Sequence, residues 1–275
     1  MSSTFKDKIA LITGGGTGIG AAVAMQLAQA GAHVILLGRR EAPLRIIASE
    51  IEAATQRKCA SIFVADAAKS ADWQRCIERI QQVHGTLDIL IANAGGHGIG
   101  TLAQTTDADW QLATQLNLDT AFQATRALMP MLVANGGNVV IVSSLAGHFA
   151  GPAAVGYVTM KHALIGLTRA LARDYGPSGV RVNAVCPGWV RTAMADEQMQ
   201  VLVQTGRAKS VDDAYDLVTK HVPLRRAALS EEVATAILFL ASKAAAMVTG
   251  SYLMVDGGAS AVDLPTLAFE GLSDL

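Results

Sequence analysis

The chain is 275 residues long, 51% hydrophobic and 16% charged, with a formal net charge of −1. So apolar a composition excludes a disordered polymer, and without a run of like charges there is neither a nucleic-acid footprint nor an acidic tail. Cys59, Cys76 and Cys186 fall in no CxxC or Cys/His spacing, so neither a disulfide framework nor a metal centre is expected.

Short apolar runs alternate with longer helical patterns along the whole chain. Strands are predicted at 9–13, 33–37, 61–64, 89–92, 138–143, 181–185 and 252–255. Helices are predicted at 18–30, 41–54, 71–84, 110–134, 155–175 and 230–241. Such alternation indicates βαβ units, and aromatics at only 5% suit buried parallel strands under small-residue helices. No Pro/Ser/Gly-rich linker interrupts the pattern, so one domain over residues 1–275 is expected. The polar stretch 192–221 is too long for a simple connector and is expected to be a substrate lid. The segment 259–275 reads as a mixed apolar and acidic tail. Met1 to Lys8 is polar and leads directly into the first strand, and no window approaches the ~18 apolar residues of a membrane span. A soluble cytoplasmic protein is therefore the expectation.

Between the first strand and the first helix runs Thr13-Gly14-Gly15-Gly16-Thr17-Gly18-Ile19-Gly20. Glycines here let the backbone turn sharply and approach a pyrophosphate, while the helix N-terminus supplies N–H donors. The second strand ends in Leu37-Gly38-Arg39-Arg40, where a carboxylate would hold the ribose hydroxyls of NAD. A guanidinium in its place can bind a 2′-phosphate bidentately, so NADP(H) is favoured over NAD(H). The bland alternative is that Arg39 and Arg40 are solvated charges.

Tyr157 and Lys161 stand at i, i+4, which puts both on one face of the predicted helix. A phenol is a poor acid or base at neutral pH, and an ammonium beside it favours the phenolate, which suits it to proton transfer. Ser144, 13 residues before Tyr157, ends the fifth strand at the sheet edge where ligands of open α/β folds bind.

The string TGxxxGxG followed by Asn93-Ala94-Gly95, Ser144, YxxxK and Pro187-Gly188 resembles the short-chain dehydrogenase/reductase family, from about Ile9 to the Val255-Asp256-Gly257-Gly258 sequence. The resemblance implies a single Rossmann-type, doubly wound α/β domain with a mostly parallel seven-stranded sheet and helices on both faces. It implies an oxidoreductase interconverting a ketone and a secondary alcohol with NAD(P)(H). It places Gly38 where NAD-preferring members carry Asp, and Asp66 where the adenine amine is held; Asp66 also fits an ordinary turn. The catalytic roles it implies fall on Ser144 and Tyr157, on Lys161, and on Asn117, which would order a proton relay to the lysine. Tyr157 and Lys161 would also touch the cofactor, as would the backbone near Val190 and the hydroxyl of Thr192, which would hold the nicotinamide carboxamide.

Substrate residues are expected on loops beyond the strand ends: Gly96 and His97, Leu145, His148 and Phe149, Trp189, and Met194 and Met199 of the lid. Each also fits simple packing. Their character favours a partly apolar ketone over a small sugar. A 3-oxoacyl-[acyl-carrier-protein] reductase is the alternative within the class, although Ala127–Val142 contains no Lys or Arg to meet an acidic carrier. A non-catalytic, cofactor-sensing binding protein is the alternative outside it; such proteins typically lose one of the Tyr–Lys pair. Family members pair the equivalents of the fourth and fifth predicted helices across two-fold axes, so a homotetramer or homodimer is expected.

Overall fold

The computed structural model describes residues 4–270 and 272. Seven strands form one sheet: β1 (Ile9–Thr13), β2 (His33–Gly38), β3 (Ala60–Val64), β4 (Ile89–Ala92), β5 (Asn138–Val142), β6 (Arg181–Pro187) and β7 (Tyr252–Val255). Their spatial order is β3-β2-β1-β4-β5-β6-β7. Every neighbouring pair is parallel, so the sheet is entirely rather than mostly parallel. Helical crossovers between successive strands require this arrangement, because only a hairpin returns a chain antiparallel at short range.

Strand side chains alternate between two cores. Ala10, Ile12, Val34, Leu36, Val140 and Val142 pack against one set of helices, and Leu11, Ile35, Leu37, Val139 and Ile141 against the other. Because both faces are covered, each strand reads as a continuous apolar run. The first face carries α1 (Gly18–Gln29), α2 (Glu41–Thr55) and α9 (Ser230–Ala241). The second carries α3 (Ser70–Val83), α5 (Thr120–Asn135) and α6 (Val155–Tyr175). Strand order reverses where β1 lies between β2 and β4, and this opens a crevice at the carboxyl ends of the strands.

Two regions depart from the sequence expectation. The helix predicted from Trp110 begins at Asp107 as α4 (Asp107–Thr114), because Thr106 and Asp109 form a capping box ahead of the first apolar residue. It then widens into one π-helical turn, Gln115–Asp119, before continuing as α5. The polar stretch after β6 is not a bare excursion: it folds into α7 (Ala193–Gln204) and α8 (Val211–Thr219), capped by the side chains of Thr192 and Ser210. Ala195, Met199, Ala214, Tyr215 and Ala227 give these helices a small core of their own. Beyond β7 the tail forms short 3₁₀ turns at Ala259–Ala261 and Leu264–Phe269. Glu270 then reaches back to Arg225 at 3.5 Å.

No helix among the described residues is long and apolar enough to cross a membrane.

Candidate active site

Thr13, the last residue of β1, ties the glycine loop to β4. Its hydroxyl accepts the N–H groups of Asn93 and Ala94, both at 3.0 Å. Asn93 donates from Nδ2 to the carbonyls of Thr13 (2.9 Å) and Gly14 (3.3 Å). The segment Asn93-Ala94-Gly95 is therefore a clamp on the loop. Gly14 sits at φ +66°, and a Cβ there would lie 2.9 Å from Asn93 Nδ2. At Gly20 a Cβ would fall 2.2 Å from the Gly14 carbonyl oxygen. Gly18, at φ +53°, opens α1, and Thr17 before it makes no side-chain cap. The first-turn N–H groups, Ile19 included, thus point from a side-chain-free cradle, which fits a dinucleotide pyrophosphate.

Arg39 and Arg40 are exposed at the end of β2 and, among the described residues, form no ion pair. With Thr17 they line one side of a cavity of about 540 Å³. A Cβ at Gly38 would meet only Leu44, at 3.4 Å. A carboxylate could stand there, so its absence is not imposed by packing. Asp66 accepts the Ala68 N–H at 3.1 Å, the turn role its residue type favours.

Among the four predicted catalytic residues, Lys161 lies close to both Tyr157 and Asn117, and Ser144 follows the carboxyl end of β5. Lys161 is 5% exposed, donates to the Val142 carbonyl at 3.2 Å, and holds Nζ 5.5 Å from the centre of the Tyr157 ring. Asn117 is 1% exposed and lies within the π-helical turn. Its Oδ1 accepts the Gly96 N–H at 3.2 Å, and its Nδ2 donates to the carbonyls of Ala113 (3.1 Å) and His97 (3.3 Å). A Cβ built on Gly95 would lie 3.5 Å from both Asn117 Oδ1 and Lys161 Nζ, so these groups face one small space. Nothing in the sequence marked the π turn, a feature that often accompanies function.

Tyr157 is fixed by the loop after β4. Its N–H, one of the unpaired donors at the start of α6, goes to the Gly98 carbonyl at 3.1 Å. Gly100 and Ala154 pair as an isolated parallel bridge beside it. Ser144 accepts the Ala146 N–H at 3.1 Å, and Thr192 accepts the Ala195 N–H at 3.2 Å. Each hydroxyl thus uses a lone pair as a cap and keeps its own hydrogen to donate. Gly188 passes so close to Asp256 that a Cβ would lie 3.0 Å from its Cα, which presses the Pro187-Gly188 turn against the Gly257-Gly258 segment. Val190 is buried beside it and bridges Ala228.

Of the predicted substrate residues, Gly96, His97 and Met194 line the cavity. Leu145, His148, Phe149 and Trp189 are not among its lining residues. His148 instead packs on Tyr252, ring centres 4.0 Å apart, with its Nε2 buried and unpartnered. Burial holds that ring below the ordinary histidine range, and His162 and Arg169 add to the effect. Phe149 is 49% exposed and Trp189 37%. Met199 is only 1% exposed and fills the small core shared by α7 and α8. Sequence reasoning missed the apolar wall formed by Ile99, Leu112, Ala113 and Leu116. Leu112 and Leu116, at i, i+4 beside Asn117, were its available signal. All three cysteines are buried, and burial pushes the thiols of Cys76 and Cys186 up to about 12 and about 11, far from thiolate chemistry.

A family profile described as enoyl-(acyl carrier protein) reductase matches residues 14–260. The protein MoaE of Klebsiella aerogenes is 46% identical over 262 residues, 95% of this chain and 99% of that one. The A-factor type gamma-butyrolactone 1′-reductase (1S-forming) of Streptomyces virginiae is 37% identical over 256 residues, 92% and 95% of the two chains. Among solved structures, L-sorbose reductase from Gluconobacter frateurii, complexed with NADPH and L-sorbose, superposes with a TM-score of 0.88. It is 28% identical and covers 94% of this chain and 98% of that one. Profile, relatives and architecture agree with the glycine cradle and with Tyr157 and Asn117 beside Lys161: the chain belongs to the short-chain dehydrogenase/reductase family of oxidoreductases, which act on CH–OH donors.

Proposed function

We propose that this protein interconverts a ketone and a secondary alcohol on a small to medium, partly apolar substrate, with NADP(H) favoured over NAD(H). The observation that carries the reading is the buried Lys161 ammonium close to both Tyr157 and Asn117, behind Gly95 of the cavity lining. The cofactor preference is supported by the free guanidinium groups of Arg39 and Arg40 and by the missing carboxylate at Gly38. The relative complexed with NADPH is in keeping with it.

In this reading the loop from Gly14 to Gly20 holds the pyrophosphate, Asp66 and the Asn93–Gly95 segment flank the adenosine, and Val190 and Thr192 hold the carboxamide. When bound, the nicotinamide supplies or accepts the hydride. Tyr157 gives its phenolic proton to the carbonyl oxygen in reduction and takes it back in oxidation. Ser144 donates its free O–H to the same oxygen and fixes its position. Lys161 keeps a positive charge beside the phenol as the proton leaves, and Asn117 holds the Gly96–His97 backbone so that the relay behind the lysine stays open. The apolar wall from Ile99 to Leu116 receives the body of the substrate. Large apolar residues exposed on α5, α9 and β7 (Phe122, Phe239, Tyr252) support association into a homotetramer or homodimer, which light scattering of the eluting species would test.

The deciding experiment is a spectrophotometric screen of ketones, secondary alcohols and a 3-oxoacyl thioester against both cofactors. Oxidation of NADPH by an unactivated ketone, abolished in Tyr157→Phe, is the expected result. Turnover confined to the thioester would favour the acyl-carrier reading. Tight NADPH binding without turnover of any carbonyl would favour the cofactor-sensing one.

A further inference from the structure

The imidazole of His97 lines the cavity, and both its nitrogens have neighbours on α7. Gln198 Nε2, on α7, lies 3.0 Å from Nδ1, and Glu197 Oε2 lies 3.8 Å from Nε2. An amide N–H can only donate, so Nδ1 accepts, and the neutral ring then carries its proton on Nε2, toward the Glu197 carboxylate. At 3.8 Å the Glu197 carboxylate is an electrostatic neighbour and not a hydrogen-bond partner, so the ring's hydrogen bond is the one to Gln198. The same residue is gripped from the opposite side, since its backbone carbonyl accepts from Asn117 Nδ2 at 3.3 Å. His97 therefore joins the lid helix to the catalytic asparagine across the cavity, between the apolar wall of Ile99 and Leu112 and the lid residue Met194.

We propose that His97, Gln198 and Glu197 form a latch that fixes the height of the substrate cavity, and that His97 is a positioning residue, through Asn117, rather than a substrate ligand. This rests on the ketone–alcohol reading for its kinetic part. The latch selects for substrates that fit beneath the closed lid, and substrates too bulky to do so are penalised because they must be admitted with the hydrogen bond broken.

The test uses Gln198→Ala, His97→Ala, the double variant, and His97→Asn, whose carbamoyl oxygen can stand where Nδ1 accepts. In the cofactor-free protein, amide hydrogen exchange across residues 193–204 should accelerate about 2- to 10-fold in either single alanine variant, the worth of one hydrogen bond. The double variant should be no faster than the singles, and His97→Asn should recover most of the protection. With cofactor, KM for compact ketones should rise by a similar factor while the dissociation constant of NADPH stays within twofold. The ratio of kcat/KM for bulky over compact ketones should increase. Unchanged exchange in both single variants overturns the latch, as does a double variant whose effect is the product of the two. A parallel rise in the NADPH dissociation constant also overturns it, because it would mean general loosening of the lid. If wild-type protein turns over no ketone, the function proposed above fails, while the exchange measurements still decide the latch.

Discussion

Around the glycine loop, backbone meets backbone and two side chains, Thr13 and Asn93, clamp strands that lie 80 positions apart in the chain; across the cavity, in α7 and α8, the constraints are side chains only 19 and 21 positions apart. Gly14, Gly20 and Gly188 are needed because another main chain or a clamp residue lies where a Cβ would be. The α7–α8 pair depends instead on Tyr215 of α8, whose hydroxyl donates to Asp196 of α7 at 2.8 Å while Arg191 lies over its ring at 4.4 Å and pairs with Asp212. Burial, then the neighbouring Asp196, drives the Tyr215 phenol well above the usual range, so it acts as a fixed donor and not as an acid. A backbone cradle tolerates one ligand geometry. A pair of helices joined by side chains can be rebuilt without disturbing the cradle.

The sharpest separation between the regions comes from the chemistry between them. Tyr157→Phe should lower turnover about 10²- to 10⁴-fold, the usual worth of a positioned acid–base group, with the NADPH dissociation constant little changed. Equal losses in binding and turnover would undo the division of labour.

Within the cradle, Gly20→Ala should weaken NADPH binding by more than tenfold and cost about 1–3 kcal/mol in urea unfolding, as an overpacked site does. The Cβ would sit 2.2 Å from a backbone oxygen that is itself held by Asn93. Retention of wild-type affinity would mean the cradle is not built as described. Gly38→Asp probes the same side more gently, because the space for the side chain exists. Its carboxylate should repel a 2′-phosphate and move the NADPH/NADH ratio of kcat/KM by about tenfold toward NADH, roughly 1.4 kcal/mol.

In α7 and α8, Tyr215→Phe removes one half-buried hydrogen bond and should cost about 0.5–1.5 kcal/mol, with the accelerated hydrogen exchange confined to 193–219. An effect spread over the whole sheet would show that these two helices are not a separate unit.

A smaller effect should come from His33, far from both regions. Burial, the adjacent His84 and then Arg57 lower its pKa from 6.5 to about 4. The unfolded chain therefore takes up a proton first as the pH falls. Stability is complete above 6.5 and declines as the pH drops through the window toward about 4. Replacing His33 with Gln should flatten that limb in pH-dependent urea melts; an unaltered slope would assign the limb to other groups.

The sequence by itself determined the parallel α/β architecture, the glycine-rich turn and the Tyr157–Lys161 pair. Apolar runs with both faces covered, glycines where no Cβ fits, and an i, i+4 spacing are local patterns, each readable within a few residues. Asn117 entered by resemblance alone, because its meaning lies in a π-helical turn that no local spacing announces. Tertiary structure alone decided that α7 and α8 are helices with their own core, and that Met199 fills it. It also turned His148 onto Tyr252, and His97 toward Gln198, a residue 101 positions away. Contacts between residues so far apart in sequence leave no periodicity in the chain, so only the folded arrangement shows that the His97 ring meets α7 and the His148 ring meets β7.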